Sequence, residues 1–362
     1  MKTVYLFDRE SIYFISKVKL DNRMVNNIDR RQFLQVSGAG AVGAMTGCLD
    51  SLGGGELPMY EQYLAVDNEQ VFFVYADYEV LNDSDNGEES SGDGNIENLD
   101  PLLAGPISGI VLVTFGVSFT LAAGGLDGLL DSQEESSLDS QATQVLLVNG
   151  TLVIIGDMDT DEIAGRLTEE PENEFFGTQY EVGDEIGEYT LYTPIDGEAS
   201  VFGVGENELL AAEDQNGIET VVDAIDGNGR AADEFDELKW LLETAGEGLI
   251  TYGGYGPDGF EVSDSPGDGD NESVEDSDDT LGSLNDANGV VNSISSTEET
   301  VDAILAASFD GLNDNQRSQI ETDFESDQTD VAIEFDGNRM TATATYDEAT
   351  FEEATASDST NT

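Results

Sequence analysis

The stretch Pro101 to Leu126 carries no charged residue, in a chain of 362 residues of which 78 are acidic and 12 basic. A stretch that has nothing to hydrate belongs in a folded core or in a bilayer. Its length suffices for a membrane span, which needs about 20 apolar residues. Five glycines, Pro106, Ser108, Thr114, Ser118 and Thr120 dilute it, however, and its flanks are acidic on both sides, which leaves the positive-inside rule without an orientation. A buried core element is therefore expected, with a membrane-spanning surface sensor as the alternative.

The charge sets the solvent. The formal net charge is −66, and seven of the 12 basic residues lie before Cys48. Such self-repulsion opposes compaction at ordinary ionic strength, whereas near 1 M salt the Debye length falls to about 3 Å and most of it is screened. With 38% apolar and 8% aromatic residues, grouped in periodic runs, the chain has the material for a core and is expected to fold. Nucleic acid and anionic lipid headgroups are excluded as direct partners, because both require the Lys and Arg that this chain lacks.

The N-terminal region gives an address. Asp29-Arg30-Arg31-Gln32-Phe33-Leu34-Gln35 is followed by a small-residue run, Val36 to Gly47, and then by Cys48, the only cysteine. Arg30, Arg31, Phe33 and Leu34 fit a twin-arginine export signal, and Cys48 fits a lipidation site. These residues resemble the exported lipoproteins of halophilic archaea. The resemblance implies passage through the twin-arginine export machinery in a folded state, a lipid on Cys48, and anchoring to the outer face of the cytoplasmic membrane. The expected organisation is an upstream extension at 1–23, a signal peptide at 24–47, a tether at 48–58, a first α+β domain at 59–246, a second at 247–350, and a polar tail at 351–362.

Within the chain, Val71 to Leu81 reads as a strand and Asn82 to Asp100 as an acidic loop. Gln144 to Val148 and Thr151 to Gly156 flank Asn149-Gly150, the signature of a type I′ hairpin. Asp159 and Glu162 stand at the capping-box offset for a helix from Thr160 to Leu167. Glu188 to Pro194, Ala199 to Val204 and Glu208 to Ala212 are expected strands. Ile218 to Ile225 and Phe235 to Ala245 are expected helices, the latter with Trp240 packed beside its apolar stripe. Leu249 to Tyr255 starts a strand again, followed by the acidic stretch Asp264 to Asp279. Thr300 to Phe309 suits both a strand and a helix capped by Ser296, and is taken as a strand.

The fold class expected is α+β, with antiparallel hairpins packed against helices and an internal duplication. Hairpin, helix and hairpin recur at 144–156, 160–168 and 187–206 and again at 290–309, 313–325 and 330–346. The run VNGTLVIIGDMDTDEIAGRL also resembles an uncharacterised domain of the same haloarchaeal lipoproteins. That resemblance implies no activity.

Chemistry is mostly excluded. There is no histidine, hence no Ser-His-Asp triad and no imidazole metal site within this chain. Gly38-x-Gly40-x-x-Gly43 matches the dinucleotide fingerprint in letters alone, since it lies in the signal segment. No catalytic residue, no metal ligand set and no cofactor is nominated, although acidic loops suit weak Ca²⁺ or Mg²⁺ binding. Asn82, Asn149 and Asn271 head glycosylation sequons. The function expected is a non-catalytic envelope module for an unknown protein or solute partner. The alternative is an extracellular hydrolase using paired carboxylates, with or without Ca²⁺.

Overall fold

The computed structural model describes residues 55–78, 100–130, 136, 138–171, 177–195, 199–256, 282–296, 300–325 and 329–347. The expected extension, signal, lipidation site and polar tail, and the sequons at Asn82 and Asn271, lie outside these residues.

Among the described residues twelve strands form one antiparallel sheet in the order β11-β12-β10-β9-β8-β1-β2-β3-β7-β6-β5-β4. They are β1 (Val71–Asp77), β2 (Gln141–Val148), β3 (Thr151–Asp157), β4 (Tyr180–Ile186), β5 (Tyr189–Pro194), β6 (Val201–Val204), β7 (Glu208–Ala212), β8 (Ile250–Tyr255), β9 (Ala287–Ser296), β10 (Thr300–Phe309), β11 (Ala332–Asp336) and β12 (Arg339–Asp347). The helices are α1 (Pro101–Ala123), α2 (Thr160–Thr168), α3 (Gln215–Ile225), the single turn α4 (Ala231–Glu234), α5 (Asp236–Ala245) and α6 (Asp314–Asp323). Helices and an antiparallel sheet together make the expected α+β fold.

Each face of the sheet has its own core. On one face α1, α2 and α6 cover Val74, Val145, Ile154, Ile294, Leu305 and their neighbours. On the other, a 3-10 helix at Met59–Tyr63 with α3, α4 and α5 covers Phe73, Tyr75, Leu146, Val153 and Val291. The uncharged stretch is α1. It is long and apolar enough to cross a membrane, and it lies on the sheet against β1, β2, β8, β9, β10 and β12. Leu102, Leu103, Ile110, Val113, Val117 and Leu121 are buried there, while Val111 and Phe119 face outward. Gly109 within it and the C-capping Gly124 serve close approach. A Cβ on Gly109 would stand 3.1 Å from Val74, and one on Gly124 would stand 3.1 Å from Leu167.

The head of α1 is pinned by polar ties from the far half of the chain. Asp100 caps the helix by accepting from Leu102 N at 3.1 Å, and its carboxylate also accepts from the Tyr346 hydroxyl at 2.6 Å. Asn292 Nδ2 donates to Leu102 O at 2.9 Å. Burial, then the adjoining Asp100 carboxylate, push the Tyr346 hydroxyl well above its ordinary pKa.

The boundary expected at 246/247 is not a break between domains. β8 pairs with β1, Val71 opposite Tyr255 and Ala76 opposite Ile250, so one sheet runs across it. Helix α5, which precedes the boundary, packs on β9 and β10, which follow it. The halves nevertheless run in parallel order. In each, three strands form a meander, a helix follows, and the last strand returns beside the third, β7 on β3 and β12 on β10. By position the counterpart of β11–β12 is β6–β7 rather than residues 187–206, with β4 and β5 as an extra hairpin.

The β2–β3 turn is as expected, with Asn149 at φ 46° and Gly150 at φ 84°. Asp159 caps α2, accepting from Asp161 N and Glu162 N. The box does not close directly. Glu162 instead accepts from Asp139 N, Ser140 N and Ser140 Oγ, and Ser140 Oγ accepts from Asp159 N at 3.0 Å. Burial works against the Glu162 charge, yet these donors hold its carboxyl below the ordinary value. Thr300 to Phe309 is a strand, paired on both sides by β9 and β12.

Candidate functional site

Of the nominated residues, Asn149 alone falls among those described. Its amide nitrogen, the atom a glycan would use, donates to Ala65 O at 2.8 Å, and its Oδ1 accepts from Phe72 N at 2.8 Å. The side chain ties the β2–β3 turn to the strand beside it.

Two concavities among the described residues concern the site. The first, of about 300 Å³, lies between α2 and the β5–β6 strands and is lined by Asp161, Glu188, Thr190, Tyr192 and Glu206 among others. Every charged group lining it is acidic. Among the described residues no three carboxylates converge as a metal-ligand set, and the acidic loops expected to suit Ca²⁺ or Mg²⁺ lie, Asp100 apart, outside those residues.

The second, of about 450 Å³, is built where one end of the second half of the sheet meets α5. The end of β8 supplies Tyr255, the start of β9 Asn288, the end of β10 Phe309 and Asp310, and the β11–β12 turn Asp336, Asn338 and Arg339. Helix α5 supplies Glu237. Short backbone bonds fix the rim, with Phe309 N donating to Asn338 O at 3.0 Å and Gly256 N to Asn288 O at 2.8 Å. Asn288 Nδ2 donates to Asp310 Oδ1 at 2.8 Å, and Asn338 Nδ2 to Asp310 O at 3.1 Å. From α6, Arg317 donates to Gly337 O at 2.7 Å and lies over the Phe335 ring, holding the turn from outside.

Arg339 is the cationic residue in the lining of this pocket. Its Nε and Nη2 donate to Glu237 Oε2 and Oε1 at 2.9 and 3.0 Å, a bidentate pair between half-buried side chains. Its guanidinium carbon stands 4.6 Å from the centroid of Trp240, the only tryptophan in the chain. The hydrogen bond to Glu237 raises the arginine pKa further, so the charge is permanent. A guanidinium has five N–H donors, so two committed to Glu237 leave three. Burial, then the charges of Glu237 and Asp310, raise the Tyr255 pKa and keep its hydroxyl protonated.

Tyr255 can lie across β9 because residue 289 is glycine. A Cβ there would come within 2.5 Å of the Tyr255 ring and 2.8 Å of Leu241. Tyr255 is backed in turn by Phe235, their ring centroids 4.9 Å apart.

No protein-family model matches this chain, and no curated protein matches its sequence. Among solved structures it is similar to crystal form I of TP0453, with 8% identity and a TM-score of 0.37, over 81% of this chain and 94% of that one. Crystal forms III and IV of the same protein give 9 and 8% identity and TM-scores of 0.34 and 0.36. A likeness this distant carries no functional argument.

Sequence reasoning placed Trp240 beside an apolar stripe and Arg339 in a hairpin without joining them. The available signal was scarcity. Arg339 is one of five basic residues after Cys48, and it immediately follows the Asp336-Gly337-Asn338 turn.

Among the described carboxyls, burial pushes Glu61 upward, partly countered by Arg230. Glu61 lies in the 3-10 helix and lines neither concavity.

Proposed function

We propose that this is an exported, lipid-anchored envelope protein that binds a surface component through the Arg339 pocket and catalyses no reaction. The address rests on Arg30, Arg31, Phe33, Leu34 and Cys48; the binding role rests on one observation, a guanidinium held by Glu237 and stacked on Trp240 that also lines a surface pocket. Fixing a long side chain in advance lowers the ordering cost that a ligand would otherwise meet. A carboxylate hydrolase needs one acid desolvated beside a second in a cleft. Among the described residues the carboxyl that burial raises, Glu61, lines neither of the two concavities described. The parallel order of the two halves supports an origin by duplication.

The experiment is fractionation of the host cells. Wild type is expected in the membrane fraction with a lipid-modified N-terminal Cys48, Cys48→Ser soluble outside the cell, and Arg30→Lys/Arg31→Lys retained inside. A Cys48→Ser protein that stays membrane-bound overturns lipid anchoring and returns the membrane role to Pro101–Ala123.

A further inference from the structure

We draw no further inference here: the strongest candidate, the outward apolar face of α1 around Val111 and Phe119, carries nothing, because nothing in the structure shows what covers it.

Discussion

The two concavities are made from similar material and differ in one component. Each has a tyrosine among carboxylates, Tyr192 with Asp161, Glu188 and Glu206 in the first half, Tyr255 with Glu237, Asp310 and Asp336 in the second. Burial, then a neighbouring acid, raises the tyrosine pKa in both. What the first lacks is an arginine seated on an aromatic ring. In a chain so short of cations, an arginine committed to a surface pocket is the informative residue, whereas acids beside an opening are simply the common surface.

The largest expected effect ignores the difference between the sites and tests what they share. Tyr60, Tyr63, Tyr75, Tyr189 and Tyr346 all have pKa values raised chiefly by burial, and Tyr180 is pushed up to about 12. A raised folded-state pKa contributes stability that is complete below the unfolded value, about 10, and is lost as pH climbs through the folded one. Tyrosinate absorbance and circular dichroism should therefore change together in one cooperative step above pH 10. Ionisation of these tyrosines with the sheet intact would contradict their burial.

Gly289→Ala should cost about 1–3 kcal/mol in equilibrium denaturation, because the new methyl meets Tyr255 and Leu241. In the first half, Gly205→Ala should cost a similar amount against the Tyr189 ring, 2.8 Å from the added Cβ. The first substitution alone should disturb the Arg339 pocket. Arg339→Ala should cost about 1–2 kcal/mol, the loss of a partly exposed bidentate pair and a ring contact. It should also shift the fluorescence of Trp240, which reports without interference as the single tryptophan. Asp161→Asn should be smallest, within about 0.5 kcal/mol, and should leave that fluorescence unchanged. A spectral shift from Asp161→Asn would mean that the two openings communicate.

Local structure was readable wherever one short rule sufficed. Asn149-Gly150 between two apolar runs leaves little choice but a tight hairpin, and Asp159 before Thr160 announces a helix. β4 was not anticipated, because Tyr180–Ile186 carries acids at 181, 184 and 185, its interior is exposed, and its register slips between Val182 and Glu185. It is an edge strand protected by charge and a bulge, and so lacks the apolar alternation that marks a strand. For Thr300 to Phe309 the period was ambiguous, and partners on both sides decided it. The pocket was illegible for a different reason. Its groups come from α5, three strand ends and a turn, and only the sheet order brings Glu237 to Arg339.

The seam between β1 and β8 also governs how the protein comes into being. Val71 cannot meet Tyr255 until most of the chain has left the ribosome, and α1 cannot be pinned by Tyr346 until nearly all of it has. Such distant pairings carry a large loop-closure entropy and form slowly, with unpaired strand edges exposed meanwhile. A passage that threads an unfolded chain would interrupt this closure at its least favourable point. The proposed route, which accepts only finished cargo, lets the sheet close in the cytoplasm before the chain leaves it.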